Sequence, residues 1–263
     1  MPVPIPTNYI LLLDPLLGFT NGSTPWADQS VDENNFTFNN TSYTFESVIG
    51  SLLLPTGTKA NEDVKPGTIP VGTSAYSIIG WVKVVETNPA ADQFTLFSLG
   101  RTNSLGHLVE LYTQNNEISA IPGLRVGVYN HNCGRLGNSN SNIIPYDTWT
   151  MISVTKPSSG NVSSQKLYIN GVEVVAYSTS NGTTSVNTSV ASGSNVRVSI
   201  NNNLASTINS TTPGSVGEVW IYDQVLTGAD MLNFYETTEP RYFPTPPVPD
   251  LSDGRSFGQG FNG

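Results

Sequence analysis

The strongest constraint on this chain is a series of short runs that alternate between apolar and polar residues. ENNFTFNNTSYTF (33–45), AYSIIGWVKVV (75–85), FTLFSLG (94–100), HLVELYT (107–113), LRVGVYN (124–130), WTMISVTK (149–156), QKLYINGVEVVAY (165–177), NVRVSI (195–200) and GEVWIYDQVL (217–226) are rich in Val, Ile, Thr, Tyr and Phe. Most repeat with period two, the signature of a strand with one face buried, and Gly, Asn, Pro or Ser separates them. Asn170-Gly171 inside LYINGVEVV can adopt the positive φ angles of a type I′ turn, so the flanking runs read as a hairpin. No long segment carries a 3.6-residue period, which excludes alternating strands and helices. The chain is expected to be all-β.

Composition supports this and narrows the partners. Only 12% of the 263 residues are charged, and Asn, Ser, Thr and Gly fill the surface positions where helices would carry Glu, Lys and Arg. The length suits one large sandwich. The formal net charge is −9 with 11 basic residues, none clustered, which excludes nucleic acid and disfavours anionic membranes. Cys133 is the single cysteine, so no intramolecular disulfide is expected. MPVPIPTNYILLLDPLLGF has no Lys or Arg before its apolar run, and Asp14 and Pro15 interrupt that run. Neither a signal peptide nor a transmembrane segment is expected there.

The two ends are proline-rich. Residues 1–8 alternate proline with other residues, and 243–263 begin FPTPPVPD and finish SFGQGFNG. Closely spaced prolines favour extended polyproline II, which leaves backbone groups for other partners. The expected organisation is an extended N-terminal arm with the first strand over 1–19, one domain over 20–242, and an extended tail over 243–263. One short helix is expected where Thr227 and Asp230 stand at capping-box spacing, with Leu232 and Tyr235 anchoring about two turns until Pro240.

Taken in order, Asp28-Gln-Ser30, YSIIGWVKV, FTLFSLG, IPYDTWTMISVTK, KLYINGVEV and GEVWIYDQVLTGADMLNFYE resemble the laminin-G-like, concanavalin-A-like jelly-roll family over residues 20–240. The resemblance implies a two-sheet antiparallel jelly-roll sandwich with its first and last strands adjacent. It also implies binding of carbohydrate or protein surfaces, with calcium at the sandwich rim in some members. Trp81 and Trp149 are expected in the core between the sheets, and Trp220 and Tyr222 on one common face of their strand.

The same fold class contains glycoside hydrolases, which need two carboxyl groups set closely across a sugar bond. The E-x-D-x-x-E run of those hydrolases is absent. Glu110 has no acidic neighbour two or four residues away, Glu218 and Asp223 are five apart, and Glu236 and Glu239 fall at the expected helix end. His107 and His131 are the only histidines, and His131-Asn132-Cys133 is too compressed for a Cys–His dyad. Zinc would require more His and Cys. No catalytic or metal-ligating residue is assigned and no cofactor is called for. Calcium is the one metal whose ligand types are gathered, at Asp28, Asp32, Glu33 and Asn34, although the VDENN turn lacks the glycine such loops use. Loop 129–142 combines Tyr129, Asn130, His131 and Arg135 with small amides that suit hydroxyl-rich ligands, and the ligand-binding residues are left unassigned.

The resulting expectation is a non-enzymatic structural or adhesive protein. Its place would be a virion surface, as capsid decoration, minor capsid or fibre-type component assembled inside a cell. Its partners would be other subunits, reached through the terminal arms, and surface glycan. The alternative is a free-standing carbohydrate-binding module.

Overall fold

The computed structural model describes residues 4–19, 25–39, 41–55, 58, 60–63, 72–85, 93–100, 108–116, 119–129, 135–137, 144–174, 178–180, 186, 197–200 and 213–244. Its strands are β1 (Leu11–Leu13), β2 (Thr37–Phe38), β3 (Thr44–Glu46), β4 (Ser51–Leu54), β5 (Ala60–Asp63), β6 (Tyr76–Val84), β7 (Gln93–Gly100) and β8 (Leu108–Asn116). They continue with β9 (Ser119–Tyr129), β10 (Arg135–Gly137), β11 (Thr150–Lys156), β12 (Lys166–Ile169), β13 (Val172–Val174), β14 (Ser178–Ser180), β15 (Arg197–Ile200) and β16 (Gly214–Tyr222). A short helix α1 (Pro15–Gly18) follows β1, and α2 (Gly228–Tyr242) follows β16. No described helix is long and apolar enough to cross a membrane.

All pairings are antiparallel and form two sheets. The first runs β13-β12-β11-β6-β16-β4-β3, and the second β14-β10-β9-β8-β7-β15-β5-β2. This is the expected two-sheet jelly-roll sandwich. β16 spans the middle of the first sheet and changes neighbour along its length. β6 lies on one side throughout, while the other side meets β4 at Gly214–Val216 and β1 at Val219–Ile221. The first and last strands are therefore adjacent.

Between the sheets lies one apolar layer that includes Leu11, Leu13, Leu52, Ile78, Val82, Phe94, Phe97, Leu111, Ile152, Val154, Val219 and Ile221. The first sheet also buries its opposite face. Leu12, Ile79, Trp81, Met151, Tyr168, Trp220 and Tyr222 point away from the sandwich and meet Leu226, Met231, Phe234 and Tyr242 of the α2 region. Trp81 and Trp149 belong to this second layer, not to the core between the sheets. Period two fixes that alternate residues share a face, but it does not say which face is inside when both are apolar. Trp220 and Tyr222 do share a face, and both meet Phe234 edge-on.

α2 departs from the expected two turns. Its capping box is as read: Asp230 N donates to Thr227 Oγ1 at 3.2 Å, and Thr227 N donates to Asp230 Oδ2 at 2.7 Å. The helix then continues through Pro240 to Tyr242, because its last turn is held by side chains. Tyr242 is buried and stacks on Trp81 with ring centroids 4.3 Å apart. Leu232 is 42% exposed and does not anchor the helix; Met231, Phe234, Thr238 and Tyr242 do. Tyr235 stacks on Trp81 at 5.8 Å from a half-buried position. Trp81 Nε1 donates to Thr238 Oγ1 at 2.8 Å, which satisfies the indole beneath the helix.

The described part of the N-terminal arm lies against its own domain. Pro6 O accepts from Tyr222 OH at 2.8 Å, and Ile5 and Tyr9 pack on the α2-covered layer. The tail from residue 245 onward lies outside the described residues.

The hairpin turn is as expected, with Asn170 at φ 49° and Gly171 at φ 77°. Asn170 also joins the next strand: its N–H donates to Met151 O at 2.8 Å, and its Oδ1 accepts from Met151 N at 2.9 Å. A Cβ on Gly171 would lie 2.7 Å from Leu232 Cα, so this turn is where α2 rests on the sheet. Gly171→Ala combines a left-handed backbone with a clash against helix backbone. It should destabilise the fold by about 2 kcal/mol, read as a lower melting temperature, whereas Val172→Thr on the same turn should change little.

Candidate functional site

Charged groups converge at one described place. Arg241, near the end of α2, forms ion pairs with Asp14 (Nη2 to Oδ1, 2.7 Å) and with Glu218 through Nη1 and Oε1. Its Nε donates to Ile49 O at 2.6 Å and its Nη2 to Gly50 O at 2.9 Å. Asp14 also caps α1 by accepting from Leu16 N at 2.8 Å. Glu218 reaches this cluster because the β16 register slips between Val216 and Val219. The slip leaves the Glu218 N–H to donate to Tyr242 OH at 2.9 Å. Gly217 makes room, since a Cβ there would lie 2.2 Å from that hydroxyl. Two carboxylates thus share one guanidinium under the helix, and Glu218 Oε2 is buried without a hydrogen-bond partner. Both carboxylates are held by the same arginine beneath the helix, an arrangement that fixes the end of α2 to the sheet.

The suspected calcium loop has a different use. Asp28 Oδ1 accepts from Leu12 N at 3.0 Å and Ser30 N at 2.9 Å, while Oδ2 accepts from Ser30 Oγ at 2.6 Å and Asn34 N at 3.0 Å. Four N–H and O–H donors fill the carboxylate, so the D-x-S motif staples its loop to β1. Glu33 completes the turn with φ 51°, the left-handed conformation that a glycine adopts without strain. Among the described residues, no group of three or more His, Cys, Asp or Glu gathers to hold a metal.

Lys156 is a second unusual charge. The residue is fully buried at the end of β11, where Nζ donates to Thr73 O at 3.2 Å and Pro157 O at 3.0 Å and lies over the Tyr76 ring. Burial lowers its pKa to about 8. Its polar partners are carbonyl oxygens, so it closes the end of the core.

The second sheet is buried along β7 on both faces: Phe94, Phe97 and Leu99 enter the core, and Thr95 and Ser98 are buried as well. Leu99, Leu111 and Ile200 face the core, so their strand neighbours one residue away belong to the opposite face. Register then assembles rows across the strands. Ser199, Ser98, Glu110, Gly127 and Arg135 form one row, Thr95, Tyr112, Arg125 and Gly137 a second, and Gly100, Leu108 and Tyr129 a third. Of the residues singled out in loop 129–142, Tyr129 ends β9 and Arg135 opens β10. Asn130 and His131 lie outside the described residues, as do His107 and Cys133. Glu110 pairs with Ser98 and Gly127, so no acidic residue stands beside it in register.

The sequence profile described as the concanavalin A-like lectin/glucanases superfamily matches residues 56–231. The chain belongs to this superfamily. No curated protein matches the sequence. Solved structures match across 88% of the chain. They include a botulinum neurotoxin serotype C1 binding domain, with 15% identity, TM-score 0.59 and 52% of that chain covered. Also similar is a serotype D ligand-binding domain in complex with N-acetylneuraminic acid, with 14% identity, TM-score 0.59 and 51% of that chain covered. A third is a serotype DC binding domain in complex with rat synaptotagmin II, with 14% identity, TM-score 0.63 and 52% covered. The chain spans about half the length of these domains, and the likeness is one of fold. The superfamily joins lectins and glucanases, so the residues at hand must separate binding from cleavage.

Three expectations follow from these groups. Arg241→Leu should cost roughly 3–5 kcal/mol in chemical unfolding, because it strands two buried carboxylates. Adding calcium or EDTA should leave the melting temperature unchanged, since the Asp28 oxygens are occupied by protein donors. The third concerns pH. The folded Lys156 has a pKa near 8 against an ordinary 10.5, so between these values the unfolded chain binds more protons and stability rises with pH. Burial raises the pKa values of Tyr76, Tyr222 and Tyr242, and pushes Tyr235 up to about 12. These groups therefore stay protonated in the fold after they ionise in the unfolded chain, and stability falls above about pH 10. Urea titrations should show this rise and turnover, and Lys156→Met should remove the rise alone.

Proposed function

We propose that this superfamily member is a non-enzymatic recognition protein, an adhesive component of a virion surface, which binds saccharide. The observation that carries the reading is the use made of the described carboxylates that gather with partners. Asp14 and Glu218 are both paired with Arg241, and four donors occupy the two oxygens of Asp28. A sandwich with its carboxylates so committed is suited to holding a ligand rather than to cleaving one. The neighbour crystallised with N-acetylneuraminic acid makes saccharide the first ligand class to test.

Display on a particle rests on the proline-rich ends, above all on residues 243–263. The described N-terminal segment contacts its own sheet, which favours the tail as the segment that reaches other subunits. The alternative, a free-standing carbohydrate-binding module, shares the ligand class and differs only in the tail.

A glycan array incubated with the purified chain should give specific hits with no release of reducing sugar. Turnover of a bound glycan would overturn the non-enzymatic reading. Removing residues 245–263 should abolish particle incorporation or reduce oligomer size while leaving glycan hits intact. Unchanged assembly would favour the free-standing module.

A further inference from the structure

We propose that the groove holding the N-terminal segment is a docking site for a Pro-aliphatic-Pro sequence, and that in the assembly it takes Pro247-Val248-Pro249 from the tail of a second copy. The inference rests on the display reading given above and names the surface that the tail reaches.

The groove already holds a sequence of this kind. Pro4-Ile5-Pro6 belongs to no strand or helix and lies against the layer that contains Trp220, Tyr222, Leu226 and Phe234. Ile5 and Tyr9 pack on that layer, Tyr222 OH donates to Pro6 O at 2.8 Å, and Gln224 Nε2 donates to Asn8 Oδ1 at 3.4 Å. The segment joins the sheet at Ile10, whose N–H donates to Ile221 O at 2.9 Å.

The groove offers side-chain donors beside aromatic surface, and proline suits both. Pro4 and Pro6 have no N–H, so the segment presents carbonyl oxygens without adding donors that need partners. Aromatic-lined grooves take proline-rich segments for this reason, and because such segments lose little freedom on docking. Phe234 meets the Tyr222 ring edge-on at 5.9 Å and holds it in place, and burial raises the Tyr222 pKa, so the hydroxyl stays a donor. The resident segment is lightly held. Ile5, Pro6 and Tyr9 are half-buried, and Pro4, Thr7 and Asn8 are exposed. A like sequence can take its place.

The sequence supplies one. Outside the N-terminal segment, Pro247 and Pro249 are the only two of the 18 prolines that flank an aliphatic residue, and Val248 is β-branched like Ile5. The chain's own tail is poorly placed to use the groove. Tyr222 pairs with Ser77 on β6, while Tyr242 at the end of α2 stacks on Trp81, four residues further along that strand. The groove therefore lies roughly 13 Å back from the helix end. The four residues from Phe243 to Pro247 cover about 12 Å when drawn out as polyproline II, and the chain must also reverse direction. The tail of a second copy is under no such constraint. In a particle, neighbouring tails stand at high local concentration, which offsets the advantage of a segment on the same chain.

The test uses the full chain and a labelled synthetic peptide of residues 243–254, read by fluorescence anisotropy. Ile5→Ser loosens the resident segment, so this variant should bind the peptide roughly fivefold more tightly than wild type. A Val248→Ser peptide should bind the same variant roughly tenfold more weakly. Adding Tyr222→Phe to Ile5→Ser removes the donor, keeps the ring and should also weaken binding of the unaltered peptide. If that double variant folds poorly, the Val248→Ser peptide decides, since it leaves the protein unchanged. Equal binding by wild type and Ile5→Ser, or binding indifferent to Val248→Ser, would overturn the inference. In the full chain, Val248→Ser should reduce oligomer size or particle incorporation as removal of residues 245–263 does. Assembly that needs the tail but survives Val248→Ser would overturn this inference and leave the display reading intact. Assembly that survives removal of the tail would defeat both. A chain that stays monomeric at every concentration, while Ile5→Ser binds the peptide, would assign the groove to its own tail and overturn the second-copy occupant.

Discussion

The aromatic layer between the first sheet and α2 is the packing on which the rest of the molecule depends. Burial of a large apolar side chain contributes roughly 1.5–3 kcal/mol, and this layer holds Trp81, Trp149, Trp220, Tyr168, Tyr222 and Tyr242. Without the helix these rings would form a wet, adhesive sheet face. A single helix lying across a sheet can slide, however, because apolar contact has no preferred direction. The ends of α2 prevent this. Its N-terminus is closed by the Thr227–Asp230 box, and its C-terminus is pinned where Arg241 meets Asp14, Glu218 and two carbonyls. The pinned residues come from the β1–α1 junction, the β3–β4 turn and β16, which fixes the helix and holds the first and last strands together. The charge cluster supplies direction, and the aromatic layer supplies most of the energy.

Much of this fold was legible in the sequence, and the reasons are local. Most of the alternating runs became strands, while 33–45 gave only the short β2 and the start of β3; the Asn170-Gly171 turn has its expected angles, and the capping box at Thr227 closes a helix. These signals depend on neighbours within a few residues. The short strands β4, β5, β10 and β14 carry three or four residues each and were not legible, since so few positions cannot establish a period. The helix end was misread for a related reason. Pro240 normally closes a helix, but Tyr242 and Arg241 gain partners more than 150 residues away in sequence or near it in space, and no local rule weighs those contacts.

The candidate site shows the same division. Asp28-Gln-Ser30 stood out as a motif, but whether its carboxylate holds a cation or backbone donors depends on Leu12 and Asn34. Asp14 appeared as an interruption of an apolar run, and Arg241 as a lone cation beyond a proline. A charge inside apolar sequence is itself a signal, since such a residue is rarely buried without an opposite charge, and pairing the two would have pointed to the cluster.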